Sequence, residues 1–257
     1  MIQLYADFPL ASNAEFTDFR VELGGPTWLR RVFRPQVNFA FDGRFPFKPL
    51  PVQQAFAMFE WGLNWVISNH AHQFAIVHAA ALEKDGRGII FPGSPGSGKS
   101  TLCAALTCRG WRLLSDEMAL ISLQDGSLWP IPRPISLKNA SIELIRNFRE
   151  GVIFGDVVAD TLKGNVAHMR PPLASVQAFD VPATPYAIVF PTYRPESITD
   201  FAPLSKGMTL MRLADNCFNY SVLGGAGFNC LADAVERSRC HTLVYSDLDD
   251  AIRAIEG

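Results

Sequence analysis

A lysine followed by a serine, at the end of a glycine-rich turn, carries the clearest chemistry in this sequence. Gly93-Ser94-Pro95-Gly96-Ser97-Gly98-Lys99-Ser100 fits the pattern G-x-x-x-x-G-K-[ST] at each fixed position. Ile89-Ile90-Phe91 runs into it and Thr101-Leu102-Cys103-Ala104-Ala105-Leu106 runs out, the strand-to-helix context that gives the pattern meaning. Glycines let successive backbone N–H groups turn inward, and a helix that starts there adds free amides and its positive dipole end. An anionic polyphosphate suits such a concavity. Lys99 can reach the β- and γ-phosphates as a point charge, and the Ser100 hydroxyl suits a Mg2+ ion bridging them. Gly93, Ser94, Pro95, Gly96, Ser97, Gly98, Lys99, Ser100 and Thr101 are therefore expected to cradle a nucleoside triphosphate, taken as ATP with Mg2+.

Asp116 and Glu117 follow Lys99 by seventeen and eighteen positions. Between them the residues read as a helix over 101–109, closed by Gly110, and a strand over Trp111–Leu114. Strand, loop, helix and strand are the parts of a βαβ unit, whose second strand returns toward the edge that the first one left. Both carboxylates are thus expected beside the phosphates. One there can hold Mg2+, and a second can orient or deprotonate an attacking hydroxyl. Alone, an acidic pair at a strand end is an ordinary turn. Its short distance from Lys99 is what gives it chemical meaning.

The elements that position these groups read as follows. Residues 1 to about 50 alternate in short runs such as Phe19-Arg20-Val21-Glu22-Leu23 and Val37-Asn38-Phe39-Ala40-Phe41, a small β layer. Pro51 opens Val52–His70, where Ala55, Met58, Phe59, Leu63, Val66 and Ile67 recur at helical spacing. Phe74–Leu82, a Lys84-Asp85-Gly86 turn and Gly88–Phe91 predict a hairpin leading into the glycine-rich loop. Tyr186–Tyr193 and Thr242–Tyr245 read as strands and Leu248–Ile255 as a terminal helix, while 147–182 carry no readable pattern. The expected division is 1–73, a β-rich layer plus linking helix, and 74–257, the core that holds the loop.

Composition removes several classes of function. With 23 basic against 25 acidic residues in 257, the formal charge of −2 gives no broad attraction to nucleic acid or anionic lipid, so any phosphate recognition is local. Five scattered cysteines, Cys103, Cys108, Cys217, Cys230 and Cys240, lack the paired spacing of a zinc site and are expected as reduced thiols of a cytoplasmic protein. The start of the chain does not resemble a secretory signal, and no run is long and apolar enough to span a bilayer.

Three stretches together carry a family resemblance: Val77-His78-Ala79-Ala80 ahead of the loop, Gly93–Ser100, and Arg109-Gly110-Trp111-Arg112-Leu113-Leu114-Ser115-Asp116-Glu117. They look like HPr kinase/phosphorylase and, more closely, the HPr-kinase-related proteins. The resemblance implies an α/β fold, a P-loop kinase core of the phosphoenolpyruvate-carboxykinase-like type, here with a small N-terminal β-rich appendage. It implies Asp116 as the catalytic acid/base facing the acceptor hydroxyl, and Ser100, Glu117 and Asp116 as the metal set. It also implies a place for His78 near the phosphates, although on residues alone His78 reads as a core histidine. The resembled family forms rings, which would make this chain a homo-oligomer. The glycine-rich signature that follows the acidic pair in the bifunctional enzymes is absent and the second acid is Glu, so the likeness stops short of the phosphorylase reaction and of HPr as substrate.

A weaker likeness runs through Pro132-Arg133-Pro134-Ile135-Ser136-Leu137-Lys138 and Lys163-Gly164-Asn165-Val166-Ala167-His168-Met169-Arg170. Arg133 and Lys138 could stabilise transferring phosphate charge or simply be solvated at the surface. Lys163, His168 and Arg170 read as donors on a loop near substrate. The catalytic set is then Asp116, Lys99, His78 and Arg133. Three readings stay open: a kinase acting on serine of a protein or peptide, a kinase acting on a small-molecule hydroxyl, and a nucleotide-binding regulatory or assembly protein without transfer.

Overall fold

A computed structural model describes residues 3–10, 17–25, 33–161 and 164–257 of the chain. It divides into two compact units, one of Pro9–Ala71, the other of His72–Gly257 together with the stretch ending at Phe8. Residues 3–8 thus differ from the expected N-terminal layer, because Leu4 is buried in the larger unit and Asp7 pairs with Arg170 there.

The smaller unit holds strands β1 (Val21–Gly24), β2 (Gln36–Phe41) and β3 (Leu50–Pro51), antiparallel in the order β1-β2-β3. A 3-10 turn over Val52–Gln54 then leads into helix α1 (Ala55–His70). Alternation along β2 buries Val37 and Phe39, which pack with Met58 and Val66 of α1. Gly62 permits this close approach, since a Cβ there would sit 2.2 Å from the Phe39 ring.

The larger unit begins with a hairpin, β4 (Phe74–Lys84) and β5 (Arg87–Pro92), closed by Asp85-Gly86. Helix α2 (Lys99–Cys108) follows the glycine-rich loop, and then come β6 (Arg112–Ser115), β7 (Met118–Ser122), β8 (Leu128–Trp129) and β9 (Ile135–Lys138). Next are α3 (Ala140–Phe148), β10 (Val158–Thr161), β11 (Gly164–Met169) and α4 (Leu173–Gln177). The chain ends with β12 (Thr184–Tyr193), β13 (Asp200–Pro203), α5 (Lys206–Asp215), α6 (Tyr220–Leu223), α7 (Gly225–Arg237), β14 (Arg239–Tyr245) and α8 (Leu248–Glu256).

The central sheet runs β13-β14-β12-β5-β4-β7-β8, with β6 also paired to β4. β12 is parallel to both β5 and β14, whereas β4 is antiparallel to β5, β6 and β7. The simple βαβ expectation is therefore corrected: β4 lies between β5 and β6, and the chain crosses over it through α2. The physical reason is the tight Asp85-Gly86 turn, which commits the edge of β5 to β4 before the helix begins.

Apolar layers cover both faces of the sheet. Ala80, Leu82, Phe91, Leu113 and Val189 pack under α2, α3, α8 and a small sheet of order β10-β11-β9. Ala79, Ala81, Ile90, Leu114 and Ile188 pack under Leu213 of α5 and Leu231, Ala234 and Val235 of α7. Strands buried on two faces read as continuous apolar runs, which is why several were visible in the sequence. The stretch from Lys163 to Arg170 was expected as a loop, but β11 pairs with β9 through Val166↔Lys138, Ala167↔Leu137, His168↔Ser136 and Met169↔Ile135. Burial of Ala167 and Met169 in the core makes a strand of it, while Lys163 itself lies outside the described residues. Among the described residues no helix is long and apolar enough to cross a membrane, and all five cysteines are free.

The segment after α5 is fastened by Asn219, whose Oδ1 accepts the Ile76 N–H at 3.0 Å and whose Nδ2 donates to the Phe74 carbonyl at 2.9 Å. Asn219→Ala strips two buried bonds and leaves their partners unsatisfied, so it is expected to cost about 2–4 kcal/mol, read as a lower urea midpoint at unchanged m.

Candidate active site

β5 ends at Pro92 and α2 begins at Lys99, so the glycine-rich residues bridge a sheet edge and a helix N-terminus. Gly98 adopts φ +93°, and a Cβ there would lie 2.3 Å from the Tyr245 Oη and 3.0 Å from the Tyr193 Cβ. The Tyr245 hydroxyl donates to the Gly98 carbonyl at 3.0 Å, and the Tyr193 N–H donates to the Ser97 carbonyl at 2.9 Å. Both tyrosines close strands parallel to the β5 direction, so the C-terminal ends of β12 and β14 clamp the loop that leaves β5. Burial raises the Tyr245 hydroxyl's pKa and keeps it a donor.

Lys99 is buried, and its Nζ donates to the carbonyls of Gly93 and of Ser94, the latter at 3.0 Å. Burial draws its pKa down; Asp116 opposes this, Lys138 adds to it, and Glu117 opposes it. Lys99, Asp116, Glu117 and Lys138 therefore belong to one electrostatic cluster. Ser100 and Thr101 occupy the first turn of α2, both half-buried.

The acidic pair sits at the interruption between β6 and β7. Ser115 bridges that break by accepting the Met118 N–H on its hydroxyl at 3.1 Å, and the Ala79 N–H of β4 donates to the Glu117 carbonyl at 3.2 Å. Asp116 points inward and is buried. Its Oδ2 accepts the Ser136 N–H of β9 at 3.0 Å, while its Oδ1 is buried with no hydrogen-bond partner. Burial pushes its pKa up to about 7, with the Glu117 charge adding, and the Ser136 N–H, the Ser100 hydroxyl and Lys138 holding it down. A carboxylate in this range is poised to exchange a proton near neutral pH.

The small sheet completes the site. His168, opposite Ser136 in register, is buried, and desolvation pushes its pKa down to about 4, with Glu117 opposing and Arg133 and Lys138 adding. It is a neutral imidazole at neutral pH, not a cationic donor. Lys138 acts electrostatically on Lys99, Asp116 and His168, and Arg133 on His168, so both belong to this cluster. Arg170, the residue after β11, is half-buried and forms an ion pair with Asp7. His78 lies on the β4 face that also carries Ala80 and Leu82 and hence α2, with its ring 5.5 Å from that of Phe218.

Ser100, Asp116 and Glu117 present hard oxygen donors, and the orphaned Asp116 Oδ1 fits the edge of a Mg2+ site. Among the described residues no three His, Cys, Asp or Glu side chains converge as a metal cage. Mg2+ held together with substrate phosphates needs only one or two carboxylates, so the donor set fits that mode.

Residues 52–136 match the family model of ScmC, described as SynChlorMet cassette protein ScmC. The match contains the whole stretch from His78 to Glu117 and overturns the assignment to an HPr kinase family. The physical reason is that a glycine-rich cradle, a lysine and a nearby acidic pair answer to phosphate chemistry, which unrelated families share. No curated protein matches the chain.

Sequence reasoning missed Tyr193, Tyr245 and the Ser136 amide. The tyrosines left one indirect signal, the glycine that their approach requires at position 98. Ser136 acts through its backbone and left none.

Gly98→Ala is expected to destabilise the loop by at least about 1–2 kcal/mol and to lower the melting temperature, because a left-handed residue must move against Tyr245. The raised Asp116 pKa also has a stability consequence. The folded chain keeps a proton that the unfolded chain releases, so this contribution is full below the ordinary carboxylate range and is lost as pH rises to about 7. The loss accrues at about 1.4 kcal/mol per pH unit. Asp116→Asn is therefore expected to melt above the native protein at pH 8 and to lose that advantage at pH 4, by calorimetry without nucleotide or Mg2+.

Proposed function

We propose that the chain binds a nucleoside triphosphate, ATP with Mg2+, in the Gly93–Ser100 cradle and transfers its terminal phosphoryl group to an acceptor hydroxyl. One observation carries the reading: Asp116 is buried against the Ser100 hydroxyl, with Oδ2 anchored by Ser136 and Oδ1 left for an incoming donor. A carboxylate so held is oriented as a base, and Lys99 and Lys138 supply positive charge to the same cluster.

In the reaction, loop amides and Lys99 bind and orient the phosphates. Lys99 exchanges its bonds to the Gly93 and Ser94 carbonyls for phosphate oxygens. The acceptor O–H gives its proton to Asp116 as its oxygen bonds to the γ-phosphorus. The bond from that phosphorus to the β–γ bridging oxygen breaks, leaving a nucleoside diphosphate. Ser100 and Glu117, adjoined by Asp116, would hold the magnesium ion, which when bound offsets charge on the β- and γ-phosphates. Serine of a protein or peptide is the first acceptor class in this reading, and the five free thiols support a reducing, cytoplasmic setting.

The test is incubation with labelled ATP and Mg2+ and a panel of hydroxyl acceptors. Lys99→Ala is expected to lower transfer at least about 100-fold. Asp116→Asn is expected to lower it roughly 100- to 10,000-fold with nucleotide affinity nearly unchanged. Transfer by the native chain should rise as pH increases through about 7, the limb set by Asp116, and the Asn variant should lack it. Full transfer by Lys99→Ala, or free phosphate as the only product, would refute the proposal, the second outcome favouring a nucleotide-driven switch.

A further inference from the structure

The strand that enters the glycine-rich loop has a different neighbour on each edge. In the central sheet β5 lies between β4 and β12. The acidic pair belongs to the β4 edge, since β6 pairs with β4 and the Ala79 N–H of β4 donates to the Glu117 carbonyl at 3.2 Å. In the phosphoryl-transfer reading the terminal phosphate lies on that side. A nucleoside triphosphate carries its base at the opposite end from this phosphate, which directs the base toward β12.

Tyr193, the last residue of β12, stands there. Alternation along the strand puts it on the face that carries Val189, which packs in the layer under α2. Its Cβ is 3.0 Å from the place that a Gly98 Cβ would take, so the ring springs from the wall of the cradle, beside the start of α2. The other tyrosine at this edge, Tyr245, is buried, and its hydroxyl is engaged by the Gly98 carbonyl. Tyr193 is 47% exposed. The two rings meet at 68° with centroids 5.8 Å apart, so they do not stack, and a flat face of Tyr193 is left open to solvent.

Backbone bonds on both sides fix this ring. The Tyr193 N–H donates to the Ser97 carbonyl and the Arg194 N–H to the Tyr245 carbonyl, each at 2.9 Å. The turn that follows is closed by the Ser197 N–H on the Arg194 carbonyl at 3.3 Å, and the Ser246 hydroxyl ties it down through the Ser197 carbonyl at 2.8 Å. An exposed tyrosine is ordinary by itself. One mounted rigidly against an anion cradle has its ordering cost met before a ligand arrives. The loop residue to which it is bonded adds a separate sign of a ligand: the Ser97 hydroxyl is buried with no hydrogen-bond partner, whereas buried polar atoms are ordinarily satisfied.

We infer that the open face of Tyr193 is the platform on which the base of the bound nucleotide stacks. The inference rests on the phosphoryl-transfer reading and deepens it: the loop holds the phosphates, and the tyrosine adds affinity that a bare polyphosphate cannot gain. Every base has a π-face, so such a platform strengthens binding of nucleotides without choosing adenine over guanine.

The probes are ATP and inorganic tripolyphosphate, which share the phosphate chain and differ in the nucleoside, titrated with Mg2+ into the full chain by calorimetry. Tyr193→Ala should weaken ATP roughly five- to a hundredfold and tripolyphosphate by less than about twofold. Alanine retains the N–H that donates to Ser97 and the Cβ that meets Gly98, so tripolyphosphate binding also reports that the cradle is intact. Tyr193→Phe keeps the ring and should bind ATP as the native chain does. Equal weakening of both probes by Tyr193→Ala would mean that the residue only shapes the loop, and overturns the platform. Unchanged ATP affinity in that variant overturns it too, and in both cases phosphate binding by the loop stands. A native chain that binds neither probe sinks the underlying reading as well.

Discussion

An ionisable carboxylate buried at a break in a strand is the constraint around which the larger unit is organised. Asp116 cannot keep its charge in an apolar interior unless hydrogen bonds and opposite charges are brought to it. The small sheet meets that need by carrying the Ser136 amide to Oδ2 and Lys138 into the same field. Lys99 belongs to the same field, where Asp116 and Glu117 favour its charged form and Lys138 opposes it. His168, neutral because buried, adds no further cation to the cluster. A site assembled this way gives up stability for a carboxyl that can change protonation near neutral pH.

The mixed sheet divides the work between its halves. Its parallel part, β5 with β12 and β14, ends in two tyrosines that hold the glycine-rich loop by ring contact and backbone bonding. Its antiparallel part, β4 with β6 and β7, presents the acidic pair at the interruption between the latter two. β4 is the hinge of this arrangement, since it touches the loop's own strand on one edge and the acidic segment on the other. Apolar layers on both faces make the whole rigid enough to keep those groups in register.

Much of the site's chemistry was legible because it is local. The loop pattern, the hairpin ahead of it, α2 and the acidic pair all lie between residues 74 and 117, where turn chemistry and apolar runs mark each boundary. β12, β14 and α8 were legible for the same reason. The stretch from 147 to 182 was not, since β10 and β11 are stabilised by pairing with each other and with β9 rather than by any pattern of their own. The ScmC match was not legible either, because a glycine-rich turn followed by Lys-Ser is a local pattern that unrelated families can share.

By itself, then, the sequence determined a glycine-rich loop ending in a lysine and a serine, and an acidic pair one helix further on. Those features are dictated by backbone geometry over a few consecutive residues. The tertiary structure alone decided that β4 intervenes between the cradle's strand and the acidic segment. It also decided that Tyr193 and Tyr245 close the loop, that His168 is interior and Arg170 is not, and that Phe218 faces solvent beside His78. Each of these depends on strands meeting across long separations in the chain, and such meetings are settled by packing and hydrogen bonding over the whole unit, which no local stretch of residues encodes.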